Sequence, residues 1–227
     1  MKYQWILFDA DETLFSFNSY LGLHTMLKRY GIHFSPTDYE AFQAVNKPLW
    51  VAYQNKEIQA EDLQRIRFEK LAHQTGQDPL ALNLELMQEM ATLSLPLDNV
   101  IEMLKALHGK VRMAIITNGF NALQHKRLVH TQTEPYFEFL TVSEKIGAAK
   151  PDPMIFNAAF QEMEKCGELD KKRILMVGDT LASDVLGGNQ VGIDTCWFNP
   201  HRHPNTSNIR PTYEIQSILE LIAIARG

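Results

Sequence analysis

The sequence predicts an α/β fold, a parallel sheet with helices on both faces, with an all-helical domain inserted after the first strand. Three observations carry this. Short continuous apolar runs stop abruptly on acids or small polar residues. Segments with helical apolar spacing separate those runs from about residue 100 onward, and residues 16–95 hold no such run. Continuous apolar runs suit strands buried on both faces, as in a parallel sheet.

The first run, residues 3–8, stops at Asp9. A second, 111–116, stops at Thr117–Asn118–Gly119, and a third, 173–177, stops at Gly178–Asp179–Thr180. Residues 139–142 and 195–198 are weaker strand candidates. Between them, 100–107 and 154–163 repeat apolar residues at helical spacing, the latter behind Pro153, which a first helical turn tolerates. Strand and helix thus alternate as βαβ units. In the insert, amphipathic segments at 20–30, 37–50, 60–74 and 79–93 are separated by Gly31, Ser35–Pro36, Gly76 and Asp78–Pro79. The expected division is 1–15 and 96–227 for the α/β core and 16–95 for the helical domain. The polar, proline-containing stretch 201–211 is expected to be a surface loop before a final short strand and helix.

A chain of 227 residues, 45% hydrophobic and 22% charged, can bury a substantial core. Its net charge of -5 offers no footprint for nucleic acid or an anionic membrane. A small anionic ester remains accessible to a metal and a few lysines acting locally. Cys166 and Cys196 belong to no motif and are expected to be free thiols in a reducing cytoplasm. The N-terminal run is too short for a signal peptide, and no stretch is long enough to span a bilayer. A cytoplasmic monomer or homodimer is expected, with no nucleic-acid or membrane partner.

Ligands of an open parallel sheet collect at the carboxyl ends of its strands. There the sequence places Asp9 and Asp11, then Thr117 and Asn118, then Asp179 and Asp184. Lys150 stands in AAKPDP, just ahead of a helix. Carboxylates crowded on one rim repel unless a cation compensates them. Magnesium suits one or two carboxylates plus waters and a substrate phosphate oxygen. Asp9 would then attack phosphorus and form an aspartyl-phosphate. Asp11 would protonate the leaving oxygen and later take a proton from the attacking water. Thr117 and Lys150 would hold the phosphoryl oxygens. Asp179 and Asp184 would anchor the metal, directly or through its waters, beside Asp9 and Asp11. Asp184 also stands where it could cap a helix beginning near Val185.

Four segments resemble, in order, the motifs of the haloacid dehalogenase superfamily: FDADETLF (8–15), IITNG (115–119), AAKPDPMIF (148–156) and VGDTLASD (177–184). The resemblance implies a Rossmann-like core of that superfamily with an all-helical C1 cap. It places Asp9 as nucleophile, Asp11 as acid/base with Thr13 next to it, Thr117 at the phosphate, and Lys150, Asp179 and Asp184 in the remaining motifs. FDADETLF, FQAVNKPLW (42–50) and SEKIGAAKPDPMIF (143–156) are further similar to the branch of cytoplasmic house-cleaning pyrimidine 5′-nucleotidases. That branch also carries glutamate where Glu12 replaces the superfamily's common glycine. The resemblance implies hydrolysis of UMP, dUMP, dTMP and non-standard analogues with Mg2+, for which Mn2+ or Co2+ can substitute.

Substrate-contact candidates are Thr13, Phe15, Asn118 and Gly119 near the motifs, and Asn46, Lys47, Trp50 and Arg67 in the insert. Against that, Trp50 and Tyr53 at helical spacing also read as cap core, and Arg67 as a surface charge. His201 and His203 lack further ligands and read as solvated. A sugar-phosphate phosphatase or phosphomutase remains an alternative on the same scaffold. Asp11 argues against a dehalogenase, which has no leaving alkoxide to protonate, and the intact acid, hydroxyl and lysine set argues against a binding protein with a dead site.

Overall fold

A computed structural model describes residues 1–227. Six strands, β1 (Trp5–Phe8), β2 (Arg112–Thr117), β3 (Leu140–Val142), β4 (Ile174–Gly178), β5 (Asp194–Phe198) and β6 (Tyr213–Ile215), form one sheet in the order β3-β2-β1-β4-β5-β6. Every neighbouring pair is parallel. Five apolar runs read from the sequence became β1 to β5, and the polar loop leads into β6 as expected.

The helices are α1 (Ser19–Lys28), α2 (Pro36–Gln54), α3 (Ala60–Ile66), α4 (Glu69–Thr75), α5 (Pro79–Leu93), α6 (Val100–Leu107), α7 (Asn121–His130), α8 (Ser143–Ile146), α9 (Pro153–Glu164), α10 (Leu186–Val191) and α11 (Glu220–Arg226). All four residues of β1 and all five of β4 are buried, which is why these strands read as unbroken apolar runs. Alternate residues of the central strands, Trp5 and Leu7, Ala114 and Ile116, Ile174 and Met176, pack with Ile155, Phe156, Ala159 and Met163 of α9. Period-two alternation thus covers one face of the sheet with the helix that follows Pro153.

The chain divides into two compact units. The first comprises Met1–Ser16, Leu95–Gly119 and Thr131–Gly227; the second comprises Phe17–Ser94 and Phe120–His130. Residues 120–130, expected in the α/β core, group with the inserted helices because α7 packs along α5. The fully buried Arg127 of α7 donates to the Ser94 hydroxyl at 3.1 Å, and that hydroxyl donates to the Met90 carbonyl at 2.7 Å.

Helix ends in the second unit follow their cap chemistry. Ser35 and Asp38 form a reciprocal capping box ahead of α2, with Pro36 at the first position. Asp78 caps α5 through the Ala81 N–H at 2.9 Å. The segment predicted as one helix over 60–74 is two, α3 and α4. Arg67 and Phe68 lie at the break, and both are buried.

Candidate active site

Strand order reverses about β1: β2 and β3 lie to one side, β4 to β6 to the other. A ligand crevice is expected outside the carboxyl ends of the strands at such a switch point. Asp9 extends the ladder one residue beyond β1, its N–H donating to the Val177 carbonyl at 2.8 Å. The chain then turns back, with the Leu14 and Phe15 N–H groups donating to the Ala10 carbonyl at 3.0 Å. Glu12 takes φ of 56° in this turn, a left-handed conformation in which glycine is unstrained. The glycine common at this place therefore has a backbone reason, and glutamate occupies it at some conformational cost.

The Lys150 ammonium lies 2.5 Å from Asp9 Oδ1, 2.7 Å from Asp184 Oδ1 and 2.8 Å from the Ile116 carbonyl oxygen. Hydrogen bonds to Asp9 and to the Ile116 carbonyl use two of the three N–H groups of this ammonium, and Asp184 Oδ1 is an ion-pair contact. Burial alone pulls Lys150 down, but Asp184 and then Asp9 outweigh it, and the ammonium is held above its ordinary value. Asn118 fixes the lysine's backbone from 32 residues away. Its Oδ1 accepts from the Lys150 N–H at 2.6 Å and its Nδ2 donates to the Lys150 carbonyl at 3.0 Å.

Asp179 follows β4 and is held on three sides. Its N–H donates to the Thr13 hydroxyl at 3.1 Å, that hydroxyl lies 3.5 Å from Asp179 Oδ1, and Trp197 Nε1 donates to the Asp179 carbonyl at 2.7 Å. Asp184 sits in a wide π-helical turn, Leu181–Val185, and its Oδ2 accepts from the Thr180 N–H at 3.0 Å. It thus serves the start of that turn, while α10 begins without a side-chain cap. A side chain at Gly178 would collide with the Asp184 carboxylate, so glycine at the end of β4 is what lets that carboxylate reach Lys150.

One oxygen each of Asp9, Asp179 and Asp184 lies within 4.8 Å of the others. Burial raises Asp9 well above the usual carboxylate range; Lys150 partly offsets this, and Asp184, Asp11 and Asp179 add to it. Burial, then Asp184, pushes Asp179 up to about 6. Three crowded carboxylates against one ammonium are under-neutralised, and a hard divalent cation with oxygen ligands fits that deficit. The Asp11 carboxylate, expected among the metal ligands, stands outside this group. It lies beyond the strand, in the turn that closes on Phe15.

Residues 3–192, from the start of the sheet through Asp9, Lys150 and Asp184, match the model of the haloacid dehalogenase-like hydrolases. The chain belongs to that family. This hydrolase is 45% identical over 221 residues to pyrimidine 5′-nucleotidase YjjG of Escherichia coli, covering 97% of each chain. It is 34% identical over 233 residues to pyrimidine 5′-nucleotidase PynA of Streptococcus pneumoniae, covering 98% of this chain and 94% of the relative. The crystal structure of the HAD-hydrolase YfnB from Bacillus subtilis bound to magnesium superposes with a TM-score of 0.83 and 28% identity, covering both chains completely.

The hydrolase brings Asp9, Lys150, Asp179 and Asp184 together, places Thr117 as the last residue of β2, and gives several other candidates different work. Thr13 is fully buried and serves Asp179, and Asn118 spends its amide on Lys150. Thr117 Oγ1 accepts from the Gly119 N–H at 3.0 Å, leaving its O–H proton to donate elsewhere. Phe15 is completely buried in the first unit. In the second unit Lys47 is exposed, Trp50 is half-buried and Asn46 is buried. Arg67 is not a surface charge but a buried guanidinium, and Asn83, its main partner, gave no sequence signal beyond an amide in a helix.

Proposed function

We propose that this chain is a magnesium-dependent phosphomonoesterase that hydrolyses pyrimidine nucleoside monophosphates, UMP, dUMP, dTMP and non-standard analogues, to nucleoside and phosphate. The observation that carries this is the Asp9 carboxylate. It is buried at the end of a central strand, held through Oδ1 by Lys150, and within 4.8 Å of two further carboxylates. The names of the Escherichia coli and Streptococcus pneumoniae relatives, matched over nearly their full length, support the substrate class.

With Oδ1 held by Lys150, Asp9 Oδ2 attacks phosphorus in line. The phosphorus–oxygen ester bond breaks, and Asp11 passes its proton to the leaving 5′-oxygen. Asp11, now a carboxylate, takes a proton from the water that attacks the Asp9 acyl-phosphate, releasing phosphate and regenerating both aspartates. Thr117 donates its hydroxyl proton to a phosphoryl oxygen, and Lys150 fixes Asp9 while countering the charge that builds there. Asp9, Asp179 and Asp184, the last directly or through a water, would hold magnesium, which supplies charge neutralisation at the phosphoryl oxygens; Mn2+ or Co2+ can replace it. Cys166 and Cys196 are free thiols and no helix is long and apolar enough to cross a membrane, which supports action in a reducing cytoplasm on a small-molecule ester.

A phosphate-release screen with magnesium over nucleoside monophosphates, sugar phosphates and aryl phosphates tests this. UMP, dUMP and dTMP are expected to give the highest kcat/KM. Sugar phosphates turned over as well or better would end the nucleotidase assignment, and no release from any ester would end the phosphatase assignment.

A further inference from the structure

The amino ends of the strands, opposite the catalytic rim, frame an open cavity of about 510 Å³, a size that holds small ligands. It lies wholly within the first compact unit. The buried Tyr3, Val111 and Met113 line it, together with Lys110, Arg112 and Arg173. Gln4 lines it too, and the extended chain from Gln4 to Asp9 puts about 16 Å between the cavity and the nucleophile.

Lys2, Arg29, Arg65, Lys150 and Lys165 are each paired with an acid. The three cavity cations are not, and their hydrogen bonds go to neutral oxygens. The Lys110 ammonium donates to the Ala106 carbonyl at 2.7 Å, Arg112 Nη1 to the Cys166 carbonyl at 2.6 Å, and Arg173 Nη2 to the Met1 carbonyl at 3.4 Å. Each bond uses one donor and leaves the charge and the other donors unspent. The Arg112 guanidinium also lies 5.5 Å from the centroid of the Trp5 ring, which orients the cation without neutralising it. Glu138, the one acid of the cavity, is exposed and pairs with none of the three.

A concavity lined by one sign of charge focuses its field, and this one is positive in a chain of net charge -5. Such an excess draws an anion, and a guanidinium fork matches two oxygens of a phosphate group. One wall is aromatic, where His108 meets the Tyr136 ring edge-on at 5.3 Å. We propose that this cavity is a second ligand site, apart from the catalytic crevice, which binds a small phosphate-bearing anion through Lys110, Arg112 and Arg173.

Calorimetric titration in EDTA tests this with two probes, inorganic pyrophosphate and AMP. Without metal, the crowded carboxylates of the catalytic rim repel either probe. One equivalent of at least one probe should bind, more tightly at low salt. Tighter binding of AMP assigns the site to an organic phosphate set against the aromatic wall, and tighter binding of pyrophosphate assigns it to an inorganic one. Replacing two exposed cations together, Lys110→Gln with Arg173→Gln, should raise Kd about 10- to 100-fold, as expected for loss of charged hydrogen bonds. Arg112→Gln carries the test if that double variant does not fold. Hydrogen exchange with the probe bound should show protection at residues 108–112 and 134–138. No binding of either probe, an unchanged Kd in the folded variants, or protection confined to 9–15 and 177–184 would overturn the proposal.

Discussion

Replacing Lys150 with methionine removes the one ammonium from a group of three carboxylates. Lys150 and Asp184 are each 1% exposed in their side chains and Asp9 is 11% exposed, so water does little of the screening. Removing one partner of a buried ion pair costs about 3–5 kcal/mol. In a chain of this size that corresponds to a fall of roughly 6–20 °C in Tm. The cost should depend on pH. Asp9 already lies well above its ordinary value through burial and loses Lys150, the main influence lowering it, while Asp179 stands at about 6. A carboxyl whose folded-state pKa is raised binds a proton that the unfolded chain releases, so its effect on stability worsens as pH rises through the folded value and is relieved as pH falls toward 4. Lys150 itself, held above its ordinary value by Asp184 and Asp9, stays charged throughout. Urea unfolding of both proteins in EDTA at pH 7.5 and pH 5.0 should therefore show the full deficit at the higher pH and a smaller one at the lower. A deficit below about 1 kcal/mol, or one unchanged between the two pH values, would refute the electrostatic account of the site.

Asp11→Asn should lower kcat by about 10²–10⁴-fold on nucleotides, whose alkoxide leaves poorly, and by much less on an activated aryl phosphate. Steady-state kinetics on dUMP and p-nitrophenyl phosphate separates the two, and equal losses would remove the leaving-group role. Magnesium without substrate should raise Tm, by an amount equivalent to about 2.7 kcal/mol at a hundred times its Kd. Because Asp179 at about 6 must give up its proton to take the ion, the rise should be larger at pH 7.5 than at pH 5.5 and should shrink in Asp179→Asn. An undiminished rise in that variant would exclude Asp179 from the ion site.

Much of the site was legible because β1 and β4 are buried on both faces. Their apolar runs had to stop where the chain met a polar crevice, and Asp9 and Asp179 mark those points. What the side chains do to one another was not legible. Asn118 and Lys150 are 32 residues apart, and nothing local says that the amide is spent on the lysine's backbone rather than on substrate. Thr13 and Asp179 meet across 166 residues. Gly178 read only as the end of a run, although its missing side chain makes room for Asp184. Arg67 read as a surface charge because nothing local to it names Asn83, 16 residues on, as the side chain that holds it inside. Residues 120–130 follow a core motif in sequence, yet their helix packs on α5, a contact that spacing along the chain does not encode.

The central claim is that Asp9 is the nucleophile, and the covalent intermediate tests it most directly. Enzyme mixed with dUMP and magnesium, quenched in acid within the first turnover and digested, should carry the mass of one phosphoryl group on the peptide containing Asp9. The Asp9→Asn protein, still folded, should carry none and release no phosphate. A phosphoryl group found on any other residue, or phosphate released by Asp9→Asn at the wild-type rate, would contradict the account.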